Sequence, residues 1–391
     1  MKKVLYILVT IIAILIVDTF LLDGKVFGLP KEIPTVNKPG EDKLEVLPLE
    51  KLILPEGYNI ALYAENVKNA RSMTLSPSGT LFVGTRQEGN VYALQDTDGD
   101  NKIDKQYTLL KDGSMPNGVA LKDGDLYIAE HSRIIKFTDI ESKLDNPGNP
   151  EVVYDKFPTE THHGWKYIAF GPDDKLYVPV GAPCNICESE DEIFGTITRL
   201  NPDGTDLEIV QTGVRNSVGF TWHPETDELF FTDNGGDSMG DDLPACELNK
   251  ATSLKMNFGY PYCHQGDTLD KEFGEGKDCA DYTKPLQKLG AHVAPLGCEF
   301  YNFKSASKNS LLIAEHGSWN RSKKSGYKIS MVDLDSNNNS VGYKDFITGW
   351  LDEATDKVWG RPVDMEWMPD GSLLISDDYA DVIYRVSYSG V

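Results

Sequence analysis

Six stretches of this chain share one pattern: a short alternating strand, a polar or Gly-containing turn, then a second apolar strand. They are "SMTLSPSGTLFVGT" (72–85), "GVALKDGDLYIAE" (118–130), "THHGWKYIAFGPDDKLYV" (161–178), "VGFTWHPETDELFFTD" (218–233), "CEFYNFKSASKNSLLIAE" (298–315) and "VDMEWMPDGSLLISD" (363–377). The first three spacings are about 46 to 52 residues, a period typical of propeller blades. The fourth interval is longer and carries an insertion rich in Gly, Asp and Cys at about 238–290. Further strand-like runs ("NVYAL", "RIIKF", "TITRL", "YKISMV", "VIYRV") follow five of the hairpins, and outer runs such as "QYTLL" and "EVVYD" precede the next unit. Six units of four strands predict an all-β fold, a six-bladed β-propeller with four-stranded blades over 51–391. The last unit has only three strands before the C-terminus, so "YNIALYAE" (58–65) is expected to supply its fourth. That pairing closes the ring and removes two raw sheet edges. A helical fold is excluded because no long 3.6-residue period exists past residue 23.

An N-terminal hydrophobic helix is expected ahead of the propeller. Lys2 and Lys3 precede an apolar run from Val4 to Val17, which reads as a signal peptide or membrane anchor over 1–23. Residues 24–50, with four prolines, read as a linker. The propeller is therefore expected to be exported, periplasmic or extracellular, and to reach a membrane only through this segment. An even number of cysteines in an exported chain favours disulfides. Cys184 and Cys187 suit a local bridge, since no second CxxC is present to complete a zinc site. Cys263 and Cys279 suit a second one, and elimination leaves Cys246 with Cys298. The formal net charge of −23 repels phosphate backbones and excludes nucleic acid as the main partner.

In an antiparallel hairpin the start of the first strand and the end of the second lie at the same end. In a propeller that end of every inner hairpin faces one mouth of the central channel. The residues gathered there before first strands are Arg71, Asn117, His162 with His163, Arg215 with Asn216, His292 and Arg361. After second strands come Arg86, Glu130 with His131, 181–187, 233–237, 315–321, and Asp377 with Asp378.

Arg215, Arg321 and Arg361 in an acidic protein favour a small anionic ligand with several carboxylates or phosphates. No GxGxxG follows a strand and no GxxxxGK[ST] exists, which argues against a nucleotide. His163 suits a general base, because a neutral imidazole near pH 7 accepts an alcohol proton. Asn234, Gly235 and Gly236 in "TDNGGDSMGDD" suit a hard cation such as Ca2+. Asp96, Asp98, Asp100 and Asp104 in "DTDGDNKID" form a DxDGDxxxD array, a second candidate calcium loop. HEXXH is absent, which removes the zinc-protease reading.

"HHGWKYIAFGPDDKLYVPVGAPCNIC", "GVRNSVGFTWHPETDELFFTDNGGD", "NFGYPYCH", "AEHGSWNRSKKSGYKI" and "GRPVDMEWMPDGSLLISDD" together resemble the pyrroloquinoline quinone (PQQ)-dependent sugar dehydrogenases. The nearest group is the sorbosone and pyranose dehydrogenase branch, related to the soluble glucose dehydrogenases. The resemblance spans residues 55–391. It implies PQQ and calcium in the mouth, a sugar substrate, and a cytochrome or quinone as electron acceptor. It also implies His163 as catalytic base, Arg215 and Asn216 beside the quinone, Arg321 and Arg361 for its carboxylates, and Asp378 near the cofactor. Asn234, Gly235 and Gly236 fall on the calcium loop. Trp165 and Lys166 stand where the glucose branch has an arginine. The alternatives are a calcium-dependent lactone hydrolase and a non-catalytic carbohydrate- or protein-binding propeller.

Overall fold

The computed structural model describes residues 46–303 and 309–390. The expected helix over 1–23 lies outside the described residues. Among the described residues no helix is long and apolar enough to cross a membrane.

Each hairpin of the sequence pattern is the inner half of a four-stranded antiparallel blade. Blade 1 is Ala70–Leu75, Leu81–Thr85, Val91–Gln95 and Lys105–Leu110. Blade 2 is Gly118–Lys122, Asp125–Ala129, Ile134–Phe137 and Glu151–Tyr154. Blade 3 is Ala169–Phe170, Leu176–Val180, Thr196–Leu200 and Glu208–Thr212, with Met256–Asn257 added in parallel at its edge. Blade 4 is Phe220–Trp222, Leu229–Asp233, Ala245–Ala251 and Gln287–Ala291, and blade 5 is Pro295–Phe300, Ser310–Glu315, Lys328–Leu334 and Ser340–Ile347. Blade 6 takes Pro362–Trp367, Leu373–Asp377 and Val382–Tyr388 from the C-terminus, and Tyr58–Ala64 pairs antiparallel with Val382–Tyr388 as its fourth strand.

The second strand of each blade is apolar because it is covered on both faces. In Leu81–Thr85, Phe82 enters the core shared with blade 2, while Leu81 and Val83 enter the core shared with blade 6. Strand alternation thus feeds two cores at once. Six such clusters lie between successive blades. A seventh, small one of Val218, Leu296 and Val363 takes one residue from just before or within the inner strand of each of blades 4, 5 and 6, and Trp165 packs on it.

Two features of the chain are placed differently from the sequence expectation. The third strand of blade 4, Ala245–Ala251, lies within the stretch read as insertion. The excursion from blade 4 is therefore 252–286; it lends Met256–Asn257 to the edge of blade 3 and carries the short strands Cys263–His264 and Thr268–Leu269. Cys263 and Cys279 are bridged, as are Cys184 and Cys187. The Cys246–Cys298 pairing is not formed: both are free thiols buried in the core between blades 4 and 5. There they behave as small apolar side chains, and burial pushes the Cys246 thiol up to about 11.

The inner strands of blades 5 and 6 also carry three crowded carboxylates. Burial, reinforced by Asp364, pushes Glu366 up to about 8; burial raises Asp364 to about 7 and holds Glu299 well above the ordinary range.

Candidate active site

The turn that opens blade 3 is built around an unusual backbone. Gly164 N–H donates to Thr161 O at 3.1 Å, closing a turn over 161–164, and His163 has φ +50°. That left-handed region suits glycine; a residue with a Cβ pays about 1–2 kcal/mol there. The surroundings hold it in place. The His163 ring is buried, and its Nδ1 lies 2.9 Å from Ala182 O. A carbonyl can only accept, so Nδ1 carries the hydrogen and Nε2 is left as the acceptor. Gly181 makes this approach feasible: a Cβ there would sit 2.6 Å from His163 Cβ. Burial, then Arg215 and His162, push the His163 imidazole down to about 2 against the pull of the Ala182 carbonyl. The ring is therefore neutral at ordinary pH.

Lys166 clamps the same turn. It is buried, and Nζ donates to His131 O at 2.5 Å and Gly164 O at 3.0 Å. Burial lowers its ammonium to about 8. Its backbone oxygen accepts Asn117 Nδ2 at 2.8 Å. These local demands keep the chain irregular up to Ala169, where the first strand of blade 3 begins.

Arg215 binds the loops on either side of it. Its Nε donates to Asn185 O at 2.8 Å, Nη2 to Asn185 Oδ1 at 2.8 Å and to Asp237 Oδ2 at 3.3 Å, and Nη1 to Asn234 O at 3.0 Å. The main-chain N–H groups of Arg215 and Asn216 both donate to the Asp233 carboxylate. Asn216 Oδ1 would lie 3.1 Å from a Cβ at Gly181, so this side chain reaches the His163 corner. The disulfide loop is braced from the insertion by Tyr260, whose hydroxyl accepts from Cys187 N at 3.1 Å.

Behind Asn234, Gly235 and Gly236 is a cavity of about 20 Å³, room for about one water. Asp233 and Glu247, paired across two strands, both line it. Burial raises both carboxyls, and Asp233 raises Glu247 further.

Asp378 organises the other side of the mouth. Arg71 Nη1 donates to its Oδ2 at 2.8 Å, and Arg361 Nη2 and His316 Nε2 reach its Oδ1 at 2.9 Å. Burial alone would raise this carboxyl, but Arg361, His316 and Arg71 hold it well below the usual range. Burial pushes His316 down to about 4 despite the carboxylate. Arg71 also donates through Nε to Asn117 Oδ1 at 2.5 Å, so the network joins blades 1, 2, 5 and 6.

Arg321 sits on the rim. It donates to Asp241 O at 3.1 Å, Lys323 O at 2.6 Å and Asp242 Oδ1 at 3.0 Å, tying the loop of blade 5 to that of blade 4. The loop 96–104 joins the outer strands of blade 1 at the end opposite the mouth. Carboxylate oxygens of Asp96, Asp98 and Asp104 lie within 4.8 Å of one another, while Asp100 stands outside this group and accepts Lys102 N at 2.8 Å.

Two residues at the mouth are given no role by the sequence. Arg86 lies over the Trp165 ring at 3.6 Å, and its guanidinium makes no side-chain hydrogen bond or ion pair with any described residue. Trp165 in turn meets the His163 ring edge-on at 6.1 Å. The hairpin rule locates Arg86 at the mouth but could not show that it forms no ion pair with a described residue.

Residues 52–389 match the family model described as TrAA12-like. A Borreliella burgdorferi protein described as uncharacterized is 34% identical over 358 residues, which cover 87% of this chain and 92% of that protein. The calcium structure of the Trichoderma reesei Carbohydrate-Active Enzymes Family AA12 superposes with a TM-score of 0.76 at 20% identity, covering 86% of this chain and 97% of that one. The holo form of the pyranose dehydrogenase PQQ domain from Coprinopsis cinerea gives 0.75 at 18% identity, with 89% and 99% covered. The PQQ-bound aldose sugar dehydrogenase from Streptomyces coelicolor gives 0.61 at 20% identity, with 86% and 99% covered. At these identities the three solved structures share the fold with this chain.

Proposed function

Because the chain belongs to the TrAA12-like family, we propose that it is a PQQ- and calcium-dependent dehydrogenase that oxidises a sugar or related polyol, with His163 as general base. The observation that carries this reading is the His163 tautomer: Ala182 O fixes Nδ1 as the donor and frees Nε2 to accept a hydroxyl proton. Its depressed basicity comes from burial and from the cations Arg215 and Arg86. An anion bound in the mouth would offset those charges and raise the imidazole towards a working range.

PQQ, a planar tricarboxylate quinone, would supply the hydride-accepting chemistry. The residues present fit such a group. The mouth contains Arg86, which forms no ion pair with a described residue and whose buried Nε has no hydrogen-bond partner, and a buried Trp165 Nε1–H likewise without one. A bound carboxylate would satisfy donors that the fold leaves open. Arg361 and Arg215 line the same mouth but already bind protein groups, so they would share their remaining N–H capacity with a ligand. Asn216 would fix orientation beside His163.

Asn234, Gly235 and Gly236 would hold calcium through amide and main-chain oxygens, with the Asp233 and Glu247 carboxylates behind them. Asp96, Asp98 and Asp104, with Asp100 beside them, would hold a second, structural calcium remote from the mouth. A metal-centred lactone hydrolase fits less well, because the central carboxylate, Asp378, is ion-paired with Arg71 and Arg361 and hydrogen-bonded by His316.

We also propose that the protein works outside the cytoplasm, tethered or released through residues 1–23, and passes electrons to a cytochrome or quinone. The two disulfides support an oxidising compartment. The test is reconstitution with PQQ and Ca2+, followed by a sugar panel with an artificial electron acceptor. Turnover of at least one sugar, lost on omitting PQQ, is expected. No oxidation of any sugar by PQQ-loaded protein would overturn the reading.

A further inference from the structure

Every other arginine assigned to the mouth has an anionic or carbonyl partner within the protein. Arg215 is bound by Asn185, Asn234 and Asp237; Arg361 and Arg71 share Asp378; Arg321 is bound by Asp241 and Asp242. Arg86 differs. Its main-chain N–H is fixed by Asn69 Oδ1 at 3.0 Å, so the residue is anchored while its guanidinium is not. The guanidinium carbon sits 3.6 Å from the centroid of the Trp165 ring, and Trp165 rests on the small apolar cluster of Val218, Leu296 and Val363. A cation over an indole at this distance is attracted by the ring. Its planar fork of N–H groups matches the geometry of a carboxylate.

The surroundings set the sign of the ligand. Arg71 and Arg361 both repel Arg86, and the one nearby carboxylate, Asp378, is shared among three other groups. Natural folds seldom bury part of a cation without a counter-charge, since the cost is several kcal/mol. The Arg86 Nε and the Trp165 Nε1 are both buried donors with no acceptor. Two open donors on side chains in contact suit an anionic oxygen.

We infer that Arg86, supported by Trp165, is the binding residue for a carboxylate of a planar aromatic ligand. Resting on the function proposed above, that ligand is PQQ. Arg86 then supplies the uncommitted charge that the sequence pattern alone assigns to Arg321.

The test measures binding without turnover. PQQ with Ca2+, and separately benzene-1,3,5-tricarboxylate as a redox-inert probe, are titrated by equilibrium dialysis into wild type, Arg86→Met, Arg86→Lys and Trp165→Leu. Charge-assisted hydrogen bonds of this kind predict that Arg86→Met weakens binding by about 10- to 100-fold. Arg86→Lys should recover part of it, because a point charge does not make the planar fork. The thermal midpoint of ligand-free Arg86→Met should equal or exceed that of wild type, whereas an arginine with only a structural role would lower it on removal. If wild type binds PQQ and Arg86→Met binds it equally well, the assignment is wrong while the dehydrogenase reading stands. If wild type binds the tricarboxylate through Arg86 but not PQQ, the seat stands and the dehydrogenase reading falls. If wild type binds neither, both fall.

Discussion

Asp378 Oδ1 accepts from both His316 and Arg361 at 2.9 Å, while its Oδ2 accepts from Arg71 at 2.8 Å. One carboxylate thus offsets two guanidinium groups from different blades. Replacing it with alanine leaves Arg71 and Arg361 facing each other in a buried site. Asp378→Ala should destabilise the fold by about 3–5 kcal/mol, read as a lower denaturant midpoint. The ionised carboxylate is the stabilising form, so its contribution is present above the unfolded Asp range and is lost only as pH falls through its depressed folded value. Wild type should therefore keep this contribution well into acid, and Asp378→Asn should lose stability at pH 7 yet show a smaller acid-induced change. An unaltered midpoint for Asp378→Ala would remove the network from the account of stability.

His163 combines a proton-accepting position with a strained backbone, and the two can be separated. His163→Ala should lower kcat by about 10²–10⁴-fold while leaving PQQ affinity within a few fold. His163→Gly should be equally inactive but more stable than His163→Ala by about 1 kcal/mol, because glycine tolerates φ +50°. Near-normal turnover in either variant would move the base elsewhere.

Gly181 tests the same corner from the other side. Its added Cβ would lie 2.6 Å from His163 Cβ and 3.1 Å from Asn216 Oδ1. Gly181→Ala should cost about 1–3 kcal/mol of stability by overpacking. It should also lower kcat more than it raises KM, since it displaces the base and leaves the cations in place. Full activity would show that His163 has room to shift.

The carboxylates of the inner strands predict a pH effect of opposite sign to that of Asp378. Burial raises Glu366 to about 8, so the neutral form is the one the fold prefers. Its stability contribution is complete below the unfolded Glu value near 4.5 and is lost as pH rises through about 8. A tenfold difference in proton affinity between the folded and unfolded chain corresponds to about 1.4 kcal/mol. Glu366→Gln should flatten the decline in unfolding free energy between pH 5 and 9. An unchanged slope would show that Glu366 is ionised in the native state.

Cysteine state can be counted directly. Thiol titration of the unfolded, unreduced protein should find two reactive thiols, Cys246 and Cys298, and two more pairs after reduction. Finding none would restore the Cys246–Cys298 bridge.

The blades were legible because their second strands are covered on both faces. Residues such as Leu81, Phe82 and Val83 therefore form apolar runs bounded by turns. The ring-closing strand Tyr58–Ala64 followed from counting. Ala245–Ala251 is hidden from the pattern because Glu247 and Asn249 occupy buried positions where apolar residues are expected. The mouth was legible as a set of positions, since hairpin direction alone brings Arg71, Arg86, His163 and Arg361 to one end. The partner of each cation was not. Arg215 meets Asn185 and Asp237, 30 and 22 residues away in the chain, and Asp378 meets Arg71 from 307 residues away. Such pairings depend on how loops from several blades interleave, which no local spacing encodes. For that reason Arg321 and Arg86 could be told apart only by what touches them.

The pairing of Tyr58–Ala64 with Val382–Tyr388 gives the ring a seam. Five blades can form in order as the chain is made, but the sixth needs residues from both ends of the propeller. Its completion must wait until Val382–Tyr388 has been made. The same seam makes the two ends of the propeller neighbours. A short linker between them, with new termini cut between Lys105–Leu110 and Gly118–Lys122, would yield a ring in which the four strands of every blade come from continuous chain. Comparing the refolding rate of that permutant with the native order would reveal whether latching the ends is the slow event in assembly.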